Sequence, residues 1–62
     1  MMYYVAIENH AAGTYTKKDY KTEKGAERAY NKAIENHDCF VQMVQYATGY
    51  ELFDTVIKSN WA

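Results

Sequence analysis

The sequence predicts an α+β fold: a two-layer ββαββ domain in which a four-stranded, mainly antiparallel sheet carries one helix packed on one face. Three observations predict it. The chain has 62 residues, which suffices for one domain over residues 1–62. Segments of period-two apolar alternation stand before and after one segment of helical periodicity. Short glycine-containing segments separate the two strands of each predicted pair.

The N-terminal segment predicts a strand, a turn and a second strand. Residues 3–8 alternate with a period of two and are rich in aromatic and β-branched side chains, which is typical of a strand. Residues 9–13 follow as a turn, in which Gly13 suits a positive φ. Residues 14–17 predict a short second strand, and the lysines there favour an edge position.

The middle of the chain predicts the helix. Thr22 is a favourable N-cap, and Glu23 places a carboxylate in the first turn, where the helix dipole stabilises it. His37 is predicted to end the helix, since a partly cationic imidazole suits the dipole there. The apolar stripe on one helix face consists of Ala26, Ala29, Tyr30, Ala33, Ile34 and His37.

The C-terminal segment predicts a second pair of strands. Residues 39–46 form the third strand, residues 47–49 a tight turn, and residues 50–57 return as the fourth strand. Large apolar groups are expected on both faces, because successive strand residues point in opposite directions. In the third strand, one face is predicted to carry Cys39, Val41 and Met43, and the other Phe40, Val44 and Tyr46.

One helix covers only one face of such a sheet, and the other face is normally polar. Because both faces are apolar here, we expect an uncovered patch, which usually marks an interface. Tyrosine, present seven times, is typical of interfaces. The alternative is that tyrosines decorate a solvated sheet, and Trp61 either anchors a partner or folds back over the sheet edge. The predicted partner-binding residues are Tyr4, Phe40, Tyr46, Tyr50, Phe53 and Trp61.

The small size of the core also favours a partner. Natural proteins of this size often add a disulfide, a metal or an oligomer contact. Cys39 is the only cysteine, so no internal disulfide can form, and a reducing, cytoplasmic compartment is expected. The sequence therefore predicts a protein partner, a second copy in a homodimer, or both.

Catalytic and metal-binding patterns are not found in the sequence. His10, His37 and Cys39 are the soft metal ligands, fewer than the four that a structural zinc site needs. No spacing demands a nucleophile–base pair, and no phosphate-binding loop motif occurs. The longest apolar run is far short of a membrane span. We therefore expect no enzyme, no catalytic residue, no metal, no cofactor and no membrane insertion.

A group of lysines suggests an alternative function. A tyrosine-bearing sheet beside a basic patch predicts single-stranded nucleic-acid binding through aromatic stacking. The net charge of −1 and the strand carboxylates Glu8, Glu51 and Asp54 oppose it, because they repel phosphates. The predicted basic patch consists of Lys17, Lys18, Lys21 and Lys24.

Three features together carry a family resemblance: the very short chain, the tyrosine-led first strand, and the stretch from Tyr20 to Ala26 that opens the helix. In these respects the chain resembles the small orphan proteins common in bacteriophage genomes. That resemblance implies a protein that binds a host protein and inhibits or redirects it, in the host cytoplasm. The sequence thus predicts a non-enzymatic protein-binding module that acts through an apolar, tyrosine-rich sheet face.

Overall fold

The predicted ββαββ order is confirmed in the computed structural model, which describes residues 2–47 and 50–60, with the backbone alone at 47 and 50–53. The four strands form one sheet and the helix packs on one of its faces. The elements are β1 (Met2–Asn9), β2 (Thr14–Tyr20), α1 (Glu23–Ala33), β3 (Cys39–Ala47) and β4 (Tyr50–Ser59).

The sheet has the order β2-β1-β3-β4, and every neighbouring pair is antiparallel. The second strand is therefore an edge strand, as its lysines predict. It extends to Tyr20, beyond the predicted end at Lys17, because Lys18 and Tyr20 pair with residues of β1. Pairing with a neighbour overrides the weak strand propensity of this charged segment.

The turn between β1 and β2 depends on Asn9 and Gly13. The Gly13 N–H donates to the Asn9 carbonyl at 2.8 Å, and the Ala12 N–H donates to Asn9 Oδ1 at 3.0 Å. Gly13 has a φ of 68°, in the left-handed region that costs other residues strain. The sequence-based expectation for Gly13 is confirmed.

The helix begins as the sequence predicts and ends earlier. Thr22 Oγ1 accepts the Gly25 N–H at 3.1 Å, so Thr22 is the N-cap. The helix ends at Ala33 with Ile34 as its C-cap, so the prediction that His37 ends the helix is wrong. His37 is exposed in the following turns. There Asn36 Oδ1 accepts the Asp38 N–H at 2.9 Å. Such a bond from a short polar side chain competes with the backbone hydrogen bonds that would continue the helix.

The core lies between the helix and one face of the sheet, called here the helix-side face. Ala26 and Tyr30 of α1 pack on it, and both are buried. Cys39 is a buried free thiol in the core, as expected for a small apolar residue. Partly buried neighbours include Ile7, Tyr20 and Ile57. The sheet residues at the centre of the core are Val5, Val41 and Met43.

The end of β4 is attached to the rest of the molecule by polar contacts that the sequence did not predict. Asn60 Oδ1 accepts the Val41 N–H at 2.7 Å, and Asn60 Nδ2 donates to the Cys39 carbonyl at 3.1 Å. The Asn60 N–H donates to the Val41 carbonyl at 3.2 Å. The Asn60 side chain thus satisfies backbone groups of β3 where the pairing with β4 ends.

A bulge in β4 directs a basic side chain toward the helix. Lys58 pairs with Met43 and Val56 pairs with Val44, so Ile57 is an extra residue between them. Lys58 Nζ forms an ion pair with Glu27 Oε1 at 3.2 Å. It also lies 5.9 Å from the ring centroid of Tyr30. These contacts join the edge strand β4 to α1.

Candidate functional site

The face of the sheet turned away from α1, called here the open face, is the candidate site. Its membership follows from the register, because residues directly opposite each other on antiparallel strands share a face. Tyr4 of β1 lies opposite Asp19 and Val44, and Glu8 lies opposite Tyr15 and Phe40. The described residues of the open face include Tyr4, Ala6, Glu8, Tyr15, Lys17, Asp19, Phe40, Val44, Tyr46, Asp54 and Val56.

Apolar exposure in the described part of the chain is concentrated on the open face. The large apolar side chains that remain exposed there are Tyr15 at 64%, Phe40 at 39% and Val56 at 54%. All three belong to the open face by register. Beneath them Ala6 and Val44 are buried. The open face therefore has an apolar floor with exposed apolar groups around it.

Of the predicted partner-binding residues, Tyr4, Phe40 and Tyr46 all lie on the open face. The rings of Tyr4 and Tyr46 are 5.8 Å apart between centroids and tilted by 49°. Phe40 lies farther along β3, where the ring of His10 meets it edge-on at 4.1 Å. The side chains of Tyr50 and Phe53, and the whole of Trp61, lie outside the described residues.

The four predicted lysines do not share one surface. Lys17 and Lys18 are successive residues of β2 and point to opposite faces. Lys17 Nζ lies 4.2 Å from the Tyr4 ring centroid on the open face, whereas Lys18 Nζ lies 5.6 Å from that of Tyr20 on the helix side. Lys21 is exposed in the bend before the helix, and Lys24 is exposed on α1. The basic patch is therefore divided, because β2 continues past the predicted strand end at Lys17 and its side chains alternate between the two faces.

A cleft of about 440 Å³ opens on the open face between β2, β1, β3 and β4. The Tyr46 hydroxyl donates a hydrogen bond to Asp19 Oδ1 at 2.9 Å across it. Two aromatic rings, two carboxylates and one ammonium group thus surround one space. Its lining residues are Tyr4, Lys17, Asp19, Tyr46 and Asp54.

The carboxylates of the cleft act on its tyrosines. The hydrogen bond to Asp19, with smaller effects of burial and of the Asp19 and Asp54 charges, raises the pKa of Tyr46. Burial and the Asp54 charge raise the pKa of Tyr4, while Lys17 lowers it. Both shifts disfavour a phenolate, so the cleft holds neutral hydroxyls beside negative charge.

Sequence reasoning missed the chemical part of this site. The sequence patterns do not single out Asp19. Asp54 enters the sequence-based prediction only as a negative charge that repels the phosphates of nucleic acid. The signal that places them is the period-two spacing from Lys17 to Asp19 and from Asp54 to Val56. That spacing becomes informative only once the strand boundaries and the strand order are known.

Neither a metal-binding cluster nor a membrane-spanning helix occurs among the residues that the structure describes. No group of three or more His, Cys, Asp or Glu side chains there is placed to hold a metal ion. No helix within that part is long and apolar enough to cross a membrane.

Comparison with known proteins identifies no relative of this chain. No family model matches the chain, and no curated protein and no solved structure matches it. The open face and its cleft are therefore the features from which a function is inferred.

Proposed function

We propose that this protein is a non-enzymatic protein-binding module whose open face is covered by another protein molecule, a different protein or a second copy. One observation carries the proposal. Tyr15, Phe40 and Val56, the exposed large apolar side chains of the described residues, all lie on the open face, opposite the single helix. Exposed apolar side chains that collect on one uncovered face are typical of an interaction site.

The size of the protein supports the same proposal. A domain of 62 residues buries only about 60% of the surface of its unfolded chain. Its one helix spans 11 residues and covers one sheet face. Covering the open face would remove further apolar surface from water, which stabilises by about 25 cal/mol per Å². Binding a partner is thus the means of stabilisation that this architecture leaves open.

The chemistry of the open face also suits a protein partner. Tyr4 and Tyr46 present rigid rings with polar ends, which contact a partner at little conformational cost. The charged groups of Lys17, Asp19 and Asp54 lie beside the rings. An aromatic and apolar centre with charged groups beside it resembles the composition of protein–protein interfaces.

The phage resemblance makes the proposal narrower. A small module that covers a surface of a host protein inhibits or redirects that protein by blocking access to the surface. The free, buried thiol of Cys39 is compatible with action in the reducing host cytoplasm. No catalytic group is needed for such an activity.

The test begins with the solution mass of the protein, measured by light scattering over a range of concentrations. The matched variants are Phe40→Ser with Val56→Thr on the open face, and Arg28→Gln with Lys32→Gln on the exposed surface of α1. If the wild type is a dimer, the open-face variant should dissociate and the helix variant should not.

If the wild type is a monomer, the same variants are immobilised and exposed to a host extract. A host protein should then be retained by the wild type and the helix variant, and lost by the open-face variant. The proposal fails if the wild type is monomeric and both double variants retain the same proteins as it does.

Single-stranded nucleic acid is the alternative occupant, and the tyrosine pair is the observation that favours it. The Tyr4 and Tyr46 rings, 5.8 Å apart, resemble a stacking platform for bases. However, Glu8, Asp19 and Asp54 share the open face with Lys17, so the described charges there repel phosphates. Titration with oligothymidylate tests this alternative, which requires quenched tyrosine fluorescence and an affinity that falls steeply with salt.

A further inference from the structure

We infer that the cleft of the open face receives an arginine side chain from a partner protein that differs from this chain. The inference rests on the proposed function, since it assumes that a protein covers the open face. It adds the chemical character of that partner, which is a basic surface that presents at least one arginine.

The charge of the open face selects a cationic partner. Glu8, Asp19 and Asp54 contribute three negative charges and Lys17 one positive charge, which leaves a net charge of −2 for the described residues of this face. Interfaces pair surfaces of opposite potential, because like potentials slow association and weaken binding. A second copy would bring the same negative face, so a different, basic protein is the better occupant.

Lys17 demonstrates that the cleft accommodates a cation. Its ammonium group lies 4.2 Å from the centroid of the Tyr4 ring, within the range of a cation–π contact. The Tyr46 ring, tilted by 49° to that of Tyr4, forms the neighbouring wall. In the free protein an internal side chain thus occupies the position that we assign to the arginine.

The carboxylates provide the matching acceptors. Asp19 accepts one hydrogen bond from the Tyr46 hydroxyl through Oδ1 at 2.9 Å, and its second oxygen also carries acceptor capacity. Asp54 lines the same cleft, and its carboxylate takes part in none of the side-chain hydrogen bonds or ion pairs between described residues. A guanidinium group is planar, stacks on aromatic rings and donates to carboxylates in pairs, whereas an ammonium group does not. The combination of rings and carboxylates therefore favours arginine over lysine.

The size of the cleft is compatible with this occupant. Its volume of about 440 Å³ exceeds the space that one side chain needs and lies within the range of about 300–1,000 Å³ for binding sites. The arginine would enter from the solvent side of the sheet and would displace Lys17 from the Tyr4 ring. Lys17 then acts as an intramolecular competitor of the arginine. Removing the Lys17 charge should therefore increase the affinity of the cleft for arginine.

The experiment uses N-acetyl-arginine amide as the probe and NMR chemical shifts of the Tyr4 and Tyr46 rings as the readout. The control probe is N-acetyl-citrulline amide, which has a similar planar shape and no charge. For so small a ligand we expect a dissociation constant on the order of millimolar. The arginine probe should give saturable shifts of both rings, and the citrulline probe should not.

Two substitutions should change the affinity for the arginine probe in opposite directions. Asp54→Asn removes an acceptor charge and should weaken binding about three- to tenfold. Lys17→Gln removes the competing cation and should tighten binding about threefold or more. Lys24→Gln, on the exposed side of α1, is the control and should leave the affinity unchanged. The shifts of Val41 and Met43, buried on the helix-side face, report whether each variant keeps its fold.

Three results would overturn the inference: equal shifts with citrulline, no weakening by a folded Asp54→Asn variant, or weaker binding by Lys17→Gln. The last result, together with ring shifts caused by inorganic phosphate, would identify an anion site instead. None of these results alters the response of partner binding to Phe40→Ser with Val56→Thr. Conversely, arginine binding with no effect of that double variant would retain the cleft and refute the proposed function.

Discussion

The two faces of the sheet are built from the same strands and differ in how far their apolar side chains are exposed to solvent. On the helix-side face Val41 and Met43 have no exposed surface, whereas on the open face Val56 is 54% exposed. The strands supply apolar residues to both faces, so the difference comes from what packs on them. Ala26 and Tyr30 of α1 cover one face, whereas the open face lies away from the helix and is reached from the turn after β1 by the ring of His10, which contacts Phe40.

This comparison teaches that apolar residues have two distinct uses in a protein of this size. On the helix-side face they stabilise the folded state, and substitutions there should lower the free energy of unfolding. On the open face Tyr15, Phe40 and Val56 remain accessible, and substitutions of these residues should change association more than stability. Substitutions on the two faces test this division when the free energy of unfolding is measured for each variant.

The largest effect is expected at Met43. Met43→Ala removes a fully buried side chain and should lower the free energy of unfolding by about 2–5 kcal/mol. Because a core of this size supplies only about 3–5 kcal/mol, this variant should be largely unfolded at room temperature. Met43→Leu, which conserves volume, is the control and should cost less than about 1.5 kcal/mol.

Val56→Thr is the matched substitution on the open face. Val56 is mostly exposed, so the change should stay within about 0.5 kcal/mol for a monomer, as is usual at surface positions. Urea denaturation followed by circular dichroism compares the two variants. If the monomeric protein lost as much stability from Val56→Thr as from Met43→Ala, the division between the faces would be refuted.

An intermediate effect is expected at Asn60, which secures the end of β4 against the central strand. Asn60→Ala removes the acceptor of the Val41 N–H, at 2.7 Å, and the donor to the Cys39 carbonyl, at 3.1 Å. The two part-buried backbone groups lose their partners, at a cost of about 1–3 kcal/mol. Amide exchange at Val41 should accelerate, and urea denaturation should give the stability change.

Asn60→Asp separates the contributions of the two side-chain hydrogen bonds to stability. The carboxylate still accepts the Val41 N–H but has no donor for the Cys39 carbonyl, so its effect should lie between wild type and Asn60→Ala. Asn31→Ala, an exposed amide on α1, is the control and should leave exchange at Val41 unchanged. Equal exchange rates in all three variants would show that Asn60 does not secure this edge.

Local patterns in the sequence predicted much of the fold. Thr22 as an N-cap, Gly13 at positive φ, and the alternation of residues 39–46 each depend on neighbours in the chain, and all three are confirmed. His37 was misplaced because Asn36 and Asp38 form a turn that outcompetes helix continuation. Short-range propensity does not predict whether the turn or the continued helix is the more stable.

Predicting the cleft requires the strand order, which only the three-dimensional structure contains. Asp19 and Tyr46 are distant in sequence and meet because β2 and β3 both flank β1. The strand order and the face that the helix covers are long-range properties, so the sequence could predict an apolar open face but not the charges beside it. The division of the predicted lysine patch has the same cause, since it depends on β2 continuing through Lys18.

The smallest effect is expected from alkaline pH and belongs to the open face. The hydrogen bond to Asp19 raises the pKa of Tyr46 above its ordinary value of 10.0. A group whose pKa is higher in the folded than in the unfolded state stabilises the fold below the unfolded pKa and loses that contribution as pH rises through the folded value. The contribution of Tyr46 should therefore be complete below pH 10 and decline above it.

Tyr46→Phe and Asp19→Asn each test this contribution through different partners of one hydrogen bond. Tyr46→Phe removes the titrating group, so stability should fall less steeply with pH above about 10 than in the wild type. Asp19→Asn removes the acceptor charge, so the tyrosinate absorbance of Tyr46 should develop at lower pH. A wild-type alkaline profile in both variants would mean that the hydrogen bond does not persist in solution. Because this hydrogen bond fixes the position of Asp19 in the cleft, that result would leave one of the two acceptors assigned to the arginine without a fixed position, and it would leave the helix-side face unaffected.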